Sequence, residues 1–326
     1  MPEFDLIRRL QERIAAPLSH AAAGCAVGIG DDGAVLDVPA GRQLVVCTDT
    51  LNAGVHFPRD TAPRAIGHKA LAVNLSDLAA MGADPAWFFL NLSLPDEPDG
   101  WLDEFARGMG DLAVTAGILL AGGDTTSGPL SVTVTALGLV EPGRALLRSG
   151  ARVGDRIVVS GSPGRAARAL ERIAQGEEPD AADRSALDFP QPRLALGCAL
   201  RGLATACIDV SDGLLADLGH ILEQSGVGAE LRVDALPADA QLAALDEAHR
   251  WSLQLGGGDD YELCFTVPEN AVQRLGALAA ELGLALAVIG RITDSGLRVL
   301  QPDGAPFAPG RAGYQHFAVR ADRVRS

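Results

Sequence analysis

Short clusters of aspartate flanked by glycine are the residues of this chain best suited to chemistry, and they recur along nearly its whole length. Several follow an apolar run directly: Asp49 comes just after residues 44–47, and Asp124 just after residues 118–121. A carboxylate at the end of a strand in an α/β fold projects into the crevice where ligands bind. The six clusters lie at residues 28–33, 47–50, 74–77, 122–125, 209–213 and 256–260.

Six converging acidic clusters would repel one another unless cations lay between them. Carboxylate oxygens are hard ligands, and the sequence has no Cys/His spacing typical of zinc, so the predicted cation is Mg²⁺. Mg²⁺ that has few protein ligands usually binds substrate phosphates as well. The clusters therefore predict a Mg²⁺–nucleotide phosphoryl-transfer enzyme.

Composition narrows the class of protein. A chain of 326 residues that is 48% hydrophobic predicts two domains, each with its own core. The net charge of −15 argues against nucleic acid and anionic membranes as partners. The five cysteines are scattered and form no Cys-x-x-Cys pair, which favours buried thiols over a disulfide framework. Without an apolar stretch of the roughly 18–20 residues that span a bilayer, and without a signal-like start, the expected compartment is the cytoplasm.

Hydrophobic periodicity predicts an α/β fold with two α/β domains, at 1–142 and 150–326. The first half is expected to contain helices at 3–15, 63–81 and 100–116, with strands at 43–49, 86–94, 118–122 and 130–140. The second half is expected to contain, among other elements, helices at 193–204, 213–225 and 239–248, strands at 206–210 and 262–267, and a mobile loop at 175–185.

Other nucleotide and hydrolase motifs are absent from the sequence. Residues 28–33 resemble a dinucleotide fingerprint only superficially, because the later glycine and the following helix are missing. The sequence contains no P-loop, no protein-kinase signature and no Gly-x-Ser-x-Gly elbow. A nucleophilic serine or cysteine mechanism is therefore unsupported.

Three of the clusters lead to specific local hypotheses. Thr48 and Asp49, expected at a strand end, offer a hydroxyl and a carboxylate to one metal. Asn74 and Asp77 are i, i+3 neighbours and share a helix face. Ser211 or Asp212 is a good N-cap for the helix that follows, a role that can coexist with phosphate binding at the helix N-terminus. For Thr48-Asp49 and for Ser211 or Asp212, an ordinary turn or cap remains the alternative, and for Asp77 the alternative is a surface acid.

Taken together, these strings resemble the thiamine-monophosphate kinases. The resemblance covers most of the chain, and its ordered set is specific although each string alone is weak. The strings are Gly-Ile-Gly-Asp-Asp at 28–32, Thr-Asp-Thr-Leu and Gly-Val-His-Phe within 48–57, Asn-Leu-Ser-Asp-Leu-Ala-Ala-Met-Gly-Ala at 74–83, Gly-Gly-Asp-Thr at 122–125, Asp-Val-Ser-Asp-Gly-Leu at 209–214 and Gly-Gly-Asp-Asp-Tyr-Glu-Leu at 257–263.

The resemblance implies a homodimer whose N-terminal domains contribute strands to a barrel at the interface, with ATP and thiamine monophosphate bound between the domains. The implied Mg²⁺ ligands are Asp31, Thr48, Asp49, Asp77, Asp124, Asp209 and Asp212. The implied ATP contacts are Gly123, Asp124, Arg148 and Ser211. The implied substrate contacts are His56, Asp259 and Tyr314. Asp49, Asp124 and Asp212 are the implied catalytic residues.

The chain departs from the family pattern at two positions. Cys47 stands where serine is common, so a metal contact there is expected from the backbone or is lost. Asp259 stands where glutamate is common, which shortens the reach to substrate by one methylene. Two alternatives stay open: another ATP-dependent synthetase of the wider superfamily, and a regulatory module that binds Mg-nucleotide.

Overall fold

Two β-sheets, one from each half of the chain, organise the protein. The computed structural model describes residues 3–14, 24–95, 100–310 and 313. Within these ranges no helix is both long and apolar enough to cross a bilayer. Tyr314, a predicted substrate contact, lies outside the described residues.

Strands β3–β6 of the first half form a four-stranded sheet that is backed by helices. The strands of this half are β1 (Cys25–Val27), β2 (Val35–Leu36), β3 (Gln43–Asn52), β4 (Asp84–Leu94), β5 (Leu119–Ser127) and β6 (Ser131–Val140). Its helices are α1 (Glu3–Ile14), α2 (Pro63–Ala80) and α3 (Trp101–Ala116). The sheet order is β3-β6-β4-β5, with β4 and β5 parallel and the other pairs antiparallel. Strands β1 and β2 pair separately.

The second half forms a six-stranded sheet in the order β12-β9-β11-β7-β10-β8. Its strands are β7 (Arg156–Ser160), β8 (Ala206–Val210), β9 (Gly228–Arg232), β10 (Glu262–Val267), β11 (Leu286–Thr293) and β12 (Leu297–Leu300). Its helices are α4 (Arg165–Ala174), α5 (Ala181–Asp188), α6 (Leu194–Ala199), α7 (Leu214–Ser225), α8 (Ala240–Ala243), α9 (Glu247–Gly256) and α10 (Val272–Leu282). Separate apolar clusters cover the two faces of this sheet.

The two faces of the four-stranded sheet differ. Along β3, side chains alternate as expected for a strand, so that Leu51 is buried in the main core while Val46 is 57% exposed. On the outer face, hydroxyl groups pair across β3 and β6: Thr50 with Thr133 at 2.8 Å, and Thr48 with Thr135 at 3.0 Å. Only the inner face is covered by α2 and α3, which places the main core there.

Helix α2 lies between the two halves. It packs on α3, β3 and β6 in the first half and on α6, β8 and β10 in the second. Its apolar residues therefore cover all sides of the helix, and 14 of its 18 residues are buried. Glycines allow the α2–α3 approach, because a Cβ on Gly67 would lie 2.0 Å from the Phe105 carbonyl oxygen and one on Gly108 would lie 1.9 Å from that of Arg64.

The predicted α/β class with two α/β domains is confirmed, and most predicted elements are present. Three local predictions are wrong. Part of the predicted mobile loop at 175–185 is helical, because the Asp180 carboxylate accepts two N–H groups and starts α5. The helix predicted at 239–248 is two helices, capped separately by Asp239 and Asp246. The helix predicted at 193–204 ends at Ala199.

The α2–α3 contact yields a stability prediction. Gly108→Ala forces the two helices apart, and overpacking of this kind costs about 1–3 kcal/mol. We expect a thermal midpoint several degrees below that of the wild type in differential scanning calorimetry. Gly276→Ala is the matched control, since Gly276 lies exposed within α10 and a Cβ there meets nothing within 4 Å. An unchanged midpoint for Gly108→Ala would contradict the packing.

Candidate active site

A cleft between the two halves gathers acidic residues from both. Its volume is about 1290 Å³, more than the roughly 300–1,000 Å³ of a site for one drug-sized ligand. The first half lines it with Asp49 and Asp77, and the second half lines it with Asp209, Asp212 and Asp259. The cleft therefore has room for two substrates side by side.

Asp49 lies within β3, not at its end, because β3 continues to Asn52. Successive residues of a strand point to opposite faces, and the Thr48 hydroxyl donates to the Val134 carbonyl oxygen at 3.1 Å, next to the Thr135 hydroxyl. The Asp49 carboxyl instead reaches Asp77 on α2, with which it shares a hydrogen bond. The Thr48 hydroxyl and the Asp49 carboxylate thus point to opposite faces of β3, and their assignment to one metal stays a prediction that this arrangement does not favour.

Asp77 is the most strongly perturbed acid among these cleft residues. Burial raises its pKa from 3.8 to about 8, and the negative charges of Asp209 and Asp49 raise it further in the same direction, while Arg148 opposes them. Burial likewise raises the pKa of Asp49. Two carboxyl groups that share a proton in this setting would exchange that proton for a cation at neutral pH. Asp77 contacts Asp49 and not Asn74, its neighbour on the helix, because the Asn74 amide donates to the Ala70 carbonyl oxygen.

Asp209 comes from the other half, at the end of β8, and is tied to α2. The fully buried Ser76 hydroxyl donates to Asp209 Oδ2 at 2.8 Å. Burial raises the pKa of Asp209 to about 6, and the Ser76 hydrogen bond works against that rise. Sequence reasoning missed Ser76, although it stands inside the Asn74–Asp77 cluster.

The loop after β8 is organised by a residue that sequence reasoning also missed. One oxygen of Asp217 accepts the backbone N–H groups of Ser211, Asp212 and Gly213 at 3.0–3.2 Å. Helix α7 then begins after Gly213, which has φ 124° and makes no side-chain cap. The prediction that Ser211 or Asp212 caps this helix is therefore wrong. Both residues line the cleft instead. These three amides bind Asp217 and cannot bind a phosphate.

The loop before β10 rests directly on the loop after β8. The Asp259 N–H donates to the Ser211 carbonyl oxygen at 2.8 Å, and a Cβ on Gly258 would lie 2.4 Å from that oxygen. Asp259 has φ 63°, a left-handed conformation that is uncommon outside glycine. Across the cleft, His56 Nδ1 accepts the Asn52 N–H at 3.0 Å, so the neutral ring carries its proton on Nε2.

Arg148 also lines the cleft, whereas three other predicted site residues do not. Asp124 lies opposite Asn91, which lies opposite Thr133, which lies opposite Thr50. Asp124 therefore shares the outer face of the sheet with Thr50, away from Asp49. Gly123 is needed for packing, because a Cβ there would lie 1.9 Å from the Leu90 carbonyl oxygen. Asp31 is exposed, in the segment between β1 and β2. The structure does not bring Asp31, Gly123 or Asp124 to the cleft, and their roles stay predictions.

The donor set fits a hard cation that also binds other ligands. Among the described residues, no three His, Cys, Asp or Glu side chains form a ready-made metal cage. The carboxylates of Asp49, Asp77, Asp209 and Asp212 instead approach from several elements and leave coordination positions for phosphate oxygens and water. The Cys47 thiol adds nothing to this set, because it donates to the Asn74 carbonyl oxygen and burial raises its pKa.

Comparison with known families defines the class. Residues 30–140 match AIR synthase related protein, N-terminal domain, and residues 152–301 match AIR synthase related protein, C-terminal domain. The first match encloses all strands of the four-stranded sheet, and the second encloses all strands of the six-stranded sheet.

Individual relatives identify the family within this class. The thiamine-monophosphate kinase of Salmonella typhimurium is 45% identical over 325 residues, covering 97% of this chain and 98% of that protein. The crystal structure of thiamine-monophosphate kinase from Stenotrophomonas maltophilia K279a is 47% identical with a TM-score of 0.85, covering 94% of this chain and 98% of that one. A structure of AaThiL complexed with AMPPCP and TMP is 31% identical with a TM-score of 0.75, covering 93% of this chain and 96% of that one. The chain belongs to the thiamine-monophosphate kinase family.

The raised pKa values predict how stability depends on pH. Asp77 and Asp217 titrate near 8 and Asp209 near 6 in the folded protein, against 3.8 when unfolded, so the folded state binds more protons across this range. The free energy of unfolding of the ligand-free protein should therefore fall as pH rises from about 4 to about 9. Urea unfolding at pH 6.0 and 8.5 measures this.

Asp217→Asn keeps an oxygen acceptor but cannot ionise, so its unfolding free energy should depend less on pH than that of the wild type. Asp294→Asn, at an exposed bend, is the matched control and should retain the wild-type slope. A wild-type unfolding free energy that is constant or rises between pH 6.0 and 8.5 would contradict the assignment.

Proposed function

We propose that the protein transfers the γ-phosphoryl group of ATP to thiamine monophosphate, forming thiamine diphosphate and ADP. The observation that carries the proposal is the cleft, which is lined by carboxylates from both halves and by the loops that contain His56 and Asp259. Membership of the thiamine-monophosphate kinase family supports it, as does the AaThiL structure complexed with AMPPCP and TMP.

In this reaction a phosphate oxygen of the substrate attacks the γ-phosphorus, and the bond between that phosphorus and the β–γ bridging oxygen breaks. The attacking oxygen is ionised at neutral pH, so no strong general base is required. Catalysis is then positioning plus charge neutralisation. This explains why the described residues of the cleft include several acids and no evident pair of nucleophile and base.

The metal is part of this proposal. We assign Mg²⁺ to the carboxylates of Asp49, Asp77, Asp209 and Asp212, where it would offset the charge of the phosphates. Asp49 and Asp77 supply adjacent oxygens from one half of the molecule, and Asp209 supplies an oxygen held by Ser76 from the other. A cation at this position would lower the pKa of Asp77 and stabilise the contact between the halves.

The two substrates are assigned to different residues of the cleft. Arg148 and Ser211 are assigned to ATP, since a guanidinium and a hydroxyl suit phosphate oxygens. His56 and Asp259 are assigned to thiamine monophosphate, where the His56 Nε2–H can donate to a phosphate oxygen.

An activity assay tests the proposal. With Mg²⁺ and ATP, the purified protein should convert thiamine monophosphate to thiamine diphosphate, resolved by chromatography. Asp49→Asn should fold normally yet lose at least ~100-fold in kcat, because a well-placed charge contact at a developing transition state is worth several kcal/mol. Asp294→Asn, far from the cleft lining, should match the wild type.

ADP formation without thiamine diphosphate would refute the kinase assignment and favour another ATP-dependent enzyme. Nucleotide binding without turnover of either substrate would favour a regulatory module. A wild-type rate for Asp49→Asn at limiting Mg²⁺ would refute only the role of Asp49.

A homodimer is the second part of the proposal. The outer face of the four-stranded sheet shows threonine pairs and exposed apolar residues, including Val46 on the edge strand β3. A long edge strand with an open face is suited to pairing with a second copy.

Light scattering should give about twice 33.7 kDa. Val46→Glu, which places a charge on this face, should lower the measured mass toward the monomer. Leu297→Glu is the matched control, because Leu297 is similarly exposed on β12, an edge strand of the other sheet. A wild-type monomer at micromolar concentration would contradict the dimer.

A further inference from the structure

Lys69 is the only lysine in the chain, and every other residue among its 27 lysines and arginines is arginine. Unlike most lysines, it is buried, with only 3% of its side chain exposed. It lies on α2, the helix between the two halves, seven residues before Ser76. Positions seven apart share a helix face, and both of these side chains reach residues of the second half.

The Lys69 ammonium meets two loops at once. Its Nζ lies 3.0 Å from Asp259 Oδ1, in the loop before β10, and it donates to the His56 carbonyl oxygen at 3.3 Å, in the loop after β3. The Tyr261 hydroxyl donates to the same Asp259 oxygen at 2.8 Å. Asp259 is 21% exposed, at the cleft. Lys69 thus connects the two residues assigned to thiamine monophosphate.

The positive charge of Lys69 determines how Asp259 can recognise a ligand. A buried ammonium beside a carboxylate cancels most of its charge, and loss of one partner leaves the other unpaired at high cost. Both donors meet Oδ1, so Oδ2 is not required for this arrangement. Asp259 therefore presents a neutralised, fixed hydrogen-bond acceptor to a ligand instead of a free negative charge.

We propose that Lys69 is a positioning residue for His56 and Asp259, the two residues assigned to thiamine monophosphate. It holds Asp259 against the His56 loop and neutralises it, so that the carboxylate recognises an N–H donor such as an aminopyrimidine amine. Pairing with a cationic ring is not the basis of recognition at this residue. The inference rests on the proposed function, because it names which group of that substrate Asp259 meets.

Arginine would not replace lysine here. The guanidinium is wide and planar, whereas the ammonium is a compact point charge with three donors on a flexible stem. Lys69 Nζ uses two of these donors on oxygens from different loops. Lys69→Arg should therefore fail to restore substrate binding even though it preserves the charge.

Steady-state kinetics of four variants test the proposal. Lys69→Met should raise KM for thiamine monophosphate at least ~10-fold while KM for ATP stays within about 2-fold, since breaking a buried pair is strongly unfavourable. In an Asp259→Asn background the same substitution should change KM for thiamine monophosphate by less than about 3-fold, because the carboxylate that it would leave unpaired is absent. Lys69→Arg should resemble Lys69→Met.

Arg201→Met is the matched control for loss of a contact between the halves. Like Lys69, Arg201 binds a carboxylate of the opposite half and also a backbone carbonyl: it pairs with Asp84 at 2.7 Å and donates to the Gly82 carbonyl oxygen. Neither partner lines the cleft. Arg201→Met should lower the thermal midpoint but leave both KM values unchanged. If Lys69→Met changed KM for thiamine monophosphate and KM for ATP to the same extent as Arg201→Met does, Lys69 would be merely structural.

The single lysine also permits a test that needs neither turnover nor a stable Lys69 variant. Protein labelled with ¹³C at lysine Cε gives one lysine side-chain NMR signal. Thiamine monophosphate should shift this signal, a non-hydrolysable ATP analogue alone should not, and Asp259→Asn should abolish the response. A signal insensitive to thiamine monophosphate, or equally sensitive to the nucleotide, would overturn the proposal.

The two proposals fail in different ways. A wild-type protein that forms thiamine diphosphate, with an unchanged KM for thiamine monophosphate in Lys69→Met, would overturn the role of Lys69 alone. A wild-type protein that forms no thiamine diphosphate would overturn the proposed function.

Discussion

Repulsion between carboxylates across the contact of the two halves is the constraint on which the rest of the structure depends. Asp49 and Asp77 share a hydrogen bond on one side, and Asp209 lies close enough from the other side to raise the pKa of Asp77. Burial raises the pKa of Asp77 most, to about 8, and the neighbouring negative charges raise it further, which favours a protonated Asp77 in the ligand-free cleft. A cation that replaces that proton would stabilise the contact between halves and the substrate phosphates together.

Helix α2 shows how the fold meets this constraint. It supplies Asp77 to the acidic group, Ser76 to orient Asp209, and Lys69 to neutralise Asp259. Burial on all sides and glycine contacts with α3 keep the helix in place. The carboxylates near Ser76 and Asp77 stay available to cations, while Lys69, seven residues before Ser76, cancels the charge of Asp259. One rigid element thereby positions both the carboxylates assigned to the metal and a carboxylate assigned to thiamine monophosphate.

Sequence patterns predicted the class of fold and most of the elements, because periodicity and cluster order depend on local spacing. Other features of the site depend on tertiary structure that cluster spacing does not predict. Strand β3 continues past Asp49 with Thr48 on the opposite face, and strand order places Asp124 on the outer face. The three amides bound by Asp217, and the ion pair of Lys69 with Asp259, depend on tertiary contacts. A lone lysine in an arginine-rich chain was the one available sequence signal for the latter.

The central claim is that carboxylates from both halves hold the same cations. Anomalous X-ray diffraction from crystals grown with Mn²⁺ in place of Mg²⁺, an ATP analogue and thiamine monophosphate tests it most directly. The account predicts at least one Mn²⁺ peak within coordination distance, about 2.0–2.3 Å, of oxygens from both Asp77 and Asp209. Peaks bound only by residues of one half, or no peak between these carboxylates, would contradict it.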